Sequence, residues 1–294
     1  MTSMDAGKGS RMGGNGRGAR RGVVSLGAVV LAGMALGGLG AGCGGEDSTT
    51  GKRLTHETVV TAGAEATGGF TNAMGWRVTL SRADVAVGAL YYFDGAPVTA
   101  MRGRRLRLLD RVSGWLIREA HAHPGHYEPG NALGEMTAAT SVDLMGGPVS
   151  VGASEAVTGV YRSASFDFGA KAVGPLAGAM GEAVVVVEGV AEKEGMSRSF
   201  RAEAKADEVL DTDALPVVEG CVFEEAEVQG DGTVTVLVKP SVWLDQVDFE
   251  EVPESADGEP VAFDVRGTPH KAFIRGLKKG TGYVFSYGAG SEEK

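Results

Sequence analysis

Alternation of apolar and polar positions dominates the chain after residue 55. In Val85–Phe93 one face collects Val85, Val87, Ala89, Tyr91 and Phe93. In Val160–Phe168 the apolar side is Val160, Ala164, Phe166 and Phe168, with Arg162 the exception. A period of two is the signature of half-buried strands. Ala183–Ala191 and Met196–Ala206 flank Glu192-Lys193-Glu194-Gly195, which predicts a hairpin closed by a glycine-containing turn. A second turn signal, Gln229-Gly230-Asp231-Gly232, separates Cys221–Val228 from Thr233–Val238. Val242–Phe249, Lys271–Ile274 and Tyr283–Tyr287 read as further strands near the C-terminus. Short strands at this spacing predict a mainly β domain over residues 55–294, an antiparallel β-sandwich of immunoglobulin-like type with one short helix and long loops.

The helix is expected in Gly103–Ala120. There Leu106, Leu109, Val112 and Leu116 recur at near-helical spacing, amid Arg102, Arg104, Arg105, Arg107, Arg111 and Arg118. Those arginines read as a solvated helix face or as a patch that holds an anionic partner. Residues 207–216 (DEVLDTDALP) form either a crossover or a boundary between two halves.

Composition changes this picture at the N-terminus. Glycine is 47 of 294 residues, about twice the usual ~7%, without a Gly-X-Y period. The net charge is −10, and residues 182–294 hold 24 acidic against 11 basic side chains, which argues against nucleic acid as a partner. Residues 1–42 are the reverse, with Lys8, Arg11, Arg17, Arg20 and Arg21 against the single acid Asp5. The basic run ends at Arg20-Arg21 and an uncharged apolar stretch follows, Val23–Leu39, then Gly40-Ala41-Gly42-Cys43. A positive region, an apolar region and small residues describe a secretory signal.

A cysteine directly after those small residues resembles the lipobox of bacterial lipoproteins, although Gly40 stands where that family usually has leucine. The resemblance implies that residues 1–42 are a cleaved signal peptide and that Cys43 bears diacylglycerol. Residues 43–54 would then be a lipidated tether to a cell-envelope membrane, on its periplasmic or surface side, where an envelope protein is a possible partner. An uncleaved anchoring helix is the competing reading. Seven glycines between residues 22 and 42 make such a span poor. With Cys43 lipidated, Cys221 has no disulfide partner, and its apolar surroundings predict a buried thiol.

One cluster carries candidate chemistry. Three of the five histidines fall within His121-Ala122-His123-Pro124-Gly125-His126, followed by Glu128. In an extended segment His121 and His123 point the same way, and a turn at Pro124-Gly125 swings His126 toward them. Converging imidazoles suit copper, zinc or nickel. Glu128 is the expected additional ligand, with Glu135 next in sequence. His56, near the tether, and His270, in an apparent loop after Pro269, would have to come from elsewhere and are expected at the surface. Met101, Met136 and Met145 are scattered and read as core filler before soft ligands.

The sequence contains no G-x-S-x-G elbow, H-E-x-x-H pair or phosphate-binding glycine loop, so a non-enzymatic role is expected. The expected function is therefore capture or delivery of a transition metal by an exported lipoprotein. A structural or interaction lipoprotein without metal is the alternative. A metallohydrolase, with Glu135 as base on metal-bound water, is the third.

Overall fold

The computed structural model describes residues 51–97, 129–255 and 257–290. Cys43, the arginine-rich segment and His121, His123, His126 and Glu128 lie outside the described residues.

Fourteen strands and four short helices are described. In chain order these are β1 (Arg53–Ala62), α1 (Glu65–Gly68), β2 (Phe70–Thr71), β3 (Arg77–Val87), β4 (Leu90–Phe93), β5 (Ala132–Met136) and β6 (Thr140–Asp143). Then come β7 (Val149–Val157), β8 (Gly159–Asp167), α2 (Ala177–Met180), β9 (Ala183–Lys193), β10 (Met196–Lys205), β11 (Val217–Val228) and β12 (Gly232–Val238). The chain ends through α3 (Pro240–Trp243), β13 (Val261–Ala262), α4 (Thr268–Leu277) and β14 (Tyr283–Ala289).

The mainly β expectation holds, but the sheets are not arranged as an immunoglobulin-like sandwich. Eight strands close into a barrel in the order β1-β12-β14-β11-β8-β4-β5-β7. The remaining six form a sheet ordered β13-β10-β9-β3-β2, with β6 also on β3. Nor is the pairing wholly antiparallel. β1 runs parallel to β12, β11 to β14, and β10 to β13.

Local pattern decided which segments became strands, and packing decided their partners. The hairpin β9–β10 forms as the alternation predicts, with Ala183 to Lys193 paired to Met196 to Lys205. The apolar run Val85–Phe93 is two strands: β3 ends in the six-stranded sheet at Val87, and β4 enters the barrel at Leu90. Between them Gly88 N donates to Asp167 O at 2.7 Å, tying the switch point to β8. The turn at Gln229–Asp231 exists, yet β11 and β12 do not pair, because β14 lies between them.

Two expected strands are helical. Val242 lies in α3, and Lys271–Ile274 lie in α4, whose buried positions Pro269, Ala272, Phe273, Gly276 and Leu277 follow a helical spacing. The last residues assigned to the tether are in a strand. Arg53 and Leu54 already belong to β1, and Leu54 is buried. Residues 207–216 act as a crossover, carrying the chain from β10 in the open sheet to β11 in the barrel.

An eight-stranded barrel is just wide enough for side chains to fill it. Here Tyr92, Tyr161, Phe166, Phe223, Tyr283 and Phe285 do so, all 2% exposed or less. Tyr161 and Phe223 cross edge to face at 5.3 Å, and Phe166 stacks on Tyr283 at 4.5 Å. A second aromatic group joins the open sheet to its covering segments through Trp76, Phe200, Phe249, Phe263 and Phe273. Filled in this way, the barrel interior is packed core.

Candidate functional site

The segment that carries the histidine cluster is inserted between two neighbouring barrel strands, β4 and β5. Its described ends are stapled together. Asp94 Oδ1 accepts from Asn131 N at 2.7 Å, and Asp94 Oδ2 accepts from Asn131 Nδ2 at 2.9 Å. Gly95 N donates to Pro129 O at 2.9 Å, and Asp94 N to Asn131 O at 3.2 Å. Glycine is required at position 130: φ is +76°, and a Cβ there would lie 2.2 Å from Asp94 Oδ1. Beside this base Ala96, Pro97, Arg162, Phe223 and Glu225 line a hollow of about 400 Å³. Arg162, the break in the apolar alternation, is exposed there and pairs with Glu225 at 3.0 Å.

A larger groove of about 630 Å³ runs over β4, β5, β7 and the start of β1. Register places Tyr91 opposite Glu135, Glu135 opposite Glu155, and Glu155 opposite Thr55, so these four side chains form one row across four strands. Glu135 and Glu155 are both exposed and stand directly across from one another. Among the described residues neither carboxylate has an ion-pair partner within 4.0 Å. Like charges so placed repel. Their negative field favours a cationic group in the groove, with Arg53 at its edge.

The remaining histidines are not at the surface. His56 is on β1, whose buried positions Leu54, His56, Thr58 and Val60 line the barrel interior. Its ring is fully buried, with centroids 5.3 Å from Tyr287 and 6.4 Å from Tyr161, and neither ring nitrogen has a hydrogen-bond partner. Burial lowers its pKa, opposed in part by the Asp231 carboxylate. His270 lies in the first turn of α4, buried, with Nε2 2.7 Å from Glu208 Oε1, and so anchors α4 to the turn after β10. Both were expected outside, His56 for its place near the tether and His270 for the apparent loop after Pro269. Their burial depends on strands and turns far away along the chain.

Among the described residues no three of His, Cys, Asp and Glu gather at one point. A metal would therefore depend on His121, His123, His126 and Glu128, with Glu135 the nearest candidate that the structure places. Met136 is buried in the core and Met145 packs against it. Cys221 is buried, its Sγ donates to Val218 O at 3.2 Å, and burial pushes the thiol pKa up, which makes it inert. Tyr161, bonded through its hydroxyl to Val157 O at 2.8 Å, is pushed up to about 12 by burial and stays neutral.

No helix among the described residues is long and apolar enough to cross a membrane. No family model, curated protein or solved structure matches the chain.

Proposed function

We propose that the protein is an exported, lipid-anchored binding protein that captures or hands over a copper, zinc or nickel ion through His121, His123 and His126, with Glu128 as the added ligand. Cys43 is the lipidated residue in this reading, and the barrel carries no catalytic role. The observation that carries it is the stapled base at Asp94 and Asn131 on a filled barrel. Binding loops are commonly carried on rigid scaffolds, and Asp94 and Asn131 fix the two ends of this insertion on one rung. The acidic pair Glu135 on β5 and Glu155 on β7 adds a field that favours cations.

Metal content of the purified chain, free of any histidine tag and incubated with copper, zinc and nickel together, tests this. About one equivalent of a single metal is expected, and it disappears in the His121→Ala/His123→Ala variant. No metal above background, or full binding by the variant, refutes the site. The anchor is tested separately: Cys43→Ala should move the protein from the detergent phase to the aqueous phase. Unchanged partitioning refutes lipidation without touching the metal reading.

The groove favours a second reading, a tethered interaction domain without metal. Its unpaired carboxylates suit a partner segment bearing lysine or arginine. Glu135→Gln/Glu155→Gln would then weaken the partner and leave metal content unchanged.

A further inference from the structure

His56 is the most unusual polar group in the described core. A neutral imidazole carries one N–H donor and one acceptor nitrogen. Here both nitrogens are buried without a hydrogen-bond partner, inside a barrel filled mainly by aromatic and aliphatic side chains. The ring meets Tyr287 edge to face at an interplanar angle of 66°. That contact gives neither ring nitrogen a hydrogen-bond acceptor or donor.

The groups facing it offer a proton no home. From β14 and β8 come Tyr287 and Tyr161, whose hydroxyls are committed outward. Tyr287 Oη donates to Gly230 O at 3.0 Å, and Tyr161 Oη donates to Val157 O at 2.8 Å. From β7 the register partner is Ser154, whose Oγ donates to His56 O at 3.4 Å, and from β12 it is Gly232. Tyr92 on β4 shares a hydrogen bond with Thr58 one layer deeper. Among the described residues the one carboxylate acting on the ring is Asp231, whose Oδ1 accepts from Thr55 N at 2.8 Å. Arg53, Glu57 and Glu155 are exposed, on the opposite side of their strands.

These same contacts reach the groove. Tyr161 Oη also donates to Leu133 O at 3.2 Å, and Leu133, Val157, Leu54 and Thr55 line the groove beside Glu135 and Glu155. We propose that His56 is a proton-triggered latch: while neutral it lets this end of the barrel close, and on taking a proton it forces that end open and disrupts the groove.

The sign follows from burial. A pKa lowered in the folded state means that the unfolded chain binds the proton first, so this contribution is present at neutral pH and is lost as pH falls below the unfolded value of about 6.5. One extra proton bound on unfolding costs ~10-fold in the folding equilibrium per pH unit.

The test compares the full wild-type chain with His56→Phe, which keeps a ring of similar size and cannot titrate. Denaturant melts at pH 7, 6 and 5 should show the wild-type equilibrium constant falling more than that of the variant between pH 6 and pH 5, by at most ~10-fold. Parallel profiles overturn the proposal. If His56→Phe does not fold, the wild-type chain decides alone through two measurements. The His56 ring proton resonances should not titrate in the folded protein near pH 6.5, and a titration there overturns the latch. Amide exchange at pH 5, corrected for intrinsic rates, should rise in 53–57, 157–161 and 229–233 while β9 stays protected. A uniform rise, or none, overturns it.

Discussion

Asn72 lies just after β2, buried to 5% exposure, and its side chain makes four hydrogen bonds. Oδ1 accepts from Met74 N at 3.1 Å and from Trp76 N at 2.9 Å; Nδ2 donates to Leu244 O at 3.1 Å and Val247 O at 2.8 Å. Two of these close the turn into β3, and two reach the segment after α3, more than 170 residues away. Replacing Asn72 with alanine strands the amides of Met74 and Trp76 and the carbonyl of Val247, while Leu244 O keeps its bond from Val247 N at 3.1 Å. A net hydrogen bond contributes about 1 kcal/mol, and an unmet buried group costs about 1–3 kcal/mol. Water reaches some of the freed groups, since Met74 is exposed. The expected loss is therefore about 3–5 kcal/mol, a large share of a typical domain's stability. Trp76 and Trp243 are buried within these segments, so their fluorescence reports the transition in guanidinium. Asn72→Asp sharpens the test. It keeps both acceptors but turns a carboxylate toward the carbonyls of Leu244 and Val247, so it should cost at least as much as alanine at pH 7. A loss below about 1 kcal/mol for alanine, or an aspartate variant as stable as wild type, would refute the idea that this residue ties the two segments together.

Gly276→Ala improves local helix propensity but places a Cβ 2.1 Å from Trp243 O, so α4 must shift off α3. A loss of about 1–3 kcal/mol is expected in thermal melts, and a gain would mean that the helices separate freely. Cys221 in a Cys43→Ala background should resist a thiol reagent until the protein unfolds, and labelling at native rates would contradict its burial.

How much was legible beforehand differs from element to element. The β9–β10 hairpin was plain because both its alternation and its turn are local, with Glu194 and Gly195 at positive φ closing it. β8 was plain as a strand but not in its faces: Tyr161, Ser163 and Ser165 are buried as well as Ala164 and Phe166, Val160 is half-buried, and Arg162 is exposed beside Glu225. β1 escaped notice for a physical reason. Its inward positions include His56 and Thr58, so the stretch carries no hydrophobic alternation although it lines the core. α4 was read as a strand from four residues, too short a window to separate a period of 3.6 from a period of two.

The candidate site divides in the same way. His121, His123 and His126 could be named from spacing alone, because ligands close in sequence need no fold to bring them together. The row Tyr91, Glu135, Glu155 and Thr55 could not, since it joins four strands whose register only barrel closure sets. By itself the sequence determined a mainly β chain and the main hairpin, properties written within about twenty neighbouring residues. Tertiary structure alone decided that the sheet closes, that β14 inserts between β11 and β12, and that His56 is sealed inside. Burial and strand pairing minimise the free energy of the whole chain, and no local stretch of sequence specifies which distant strand will cover it.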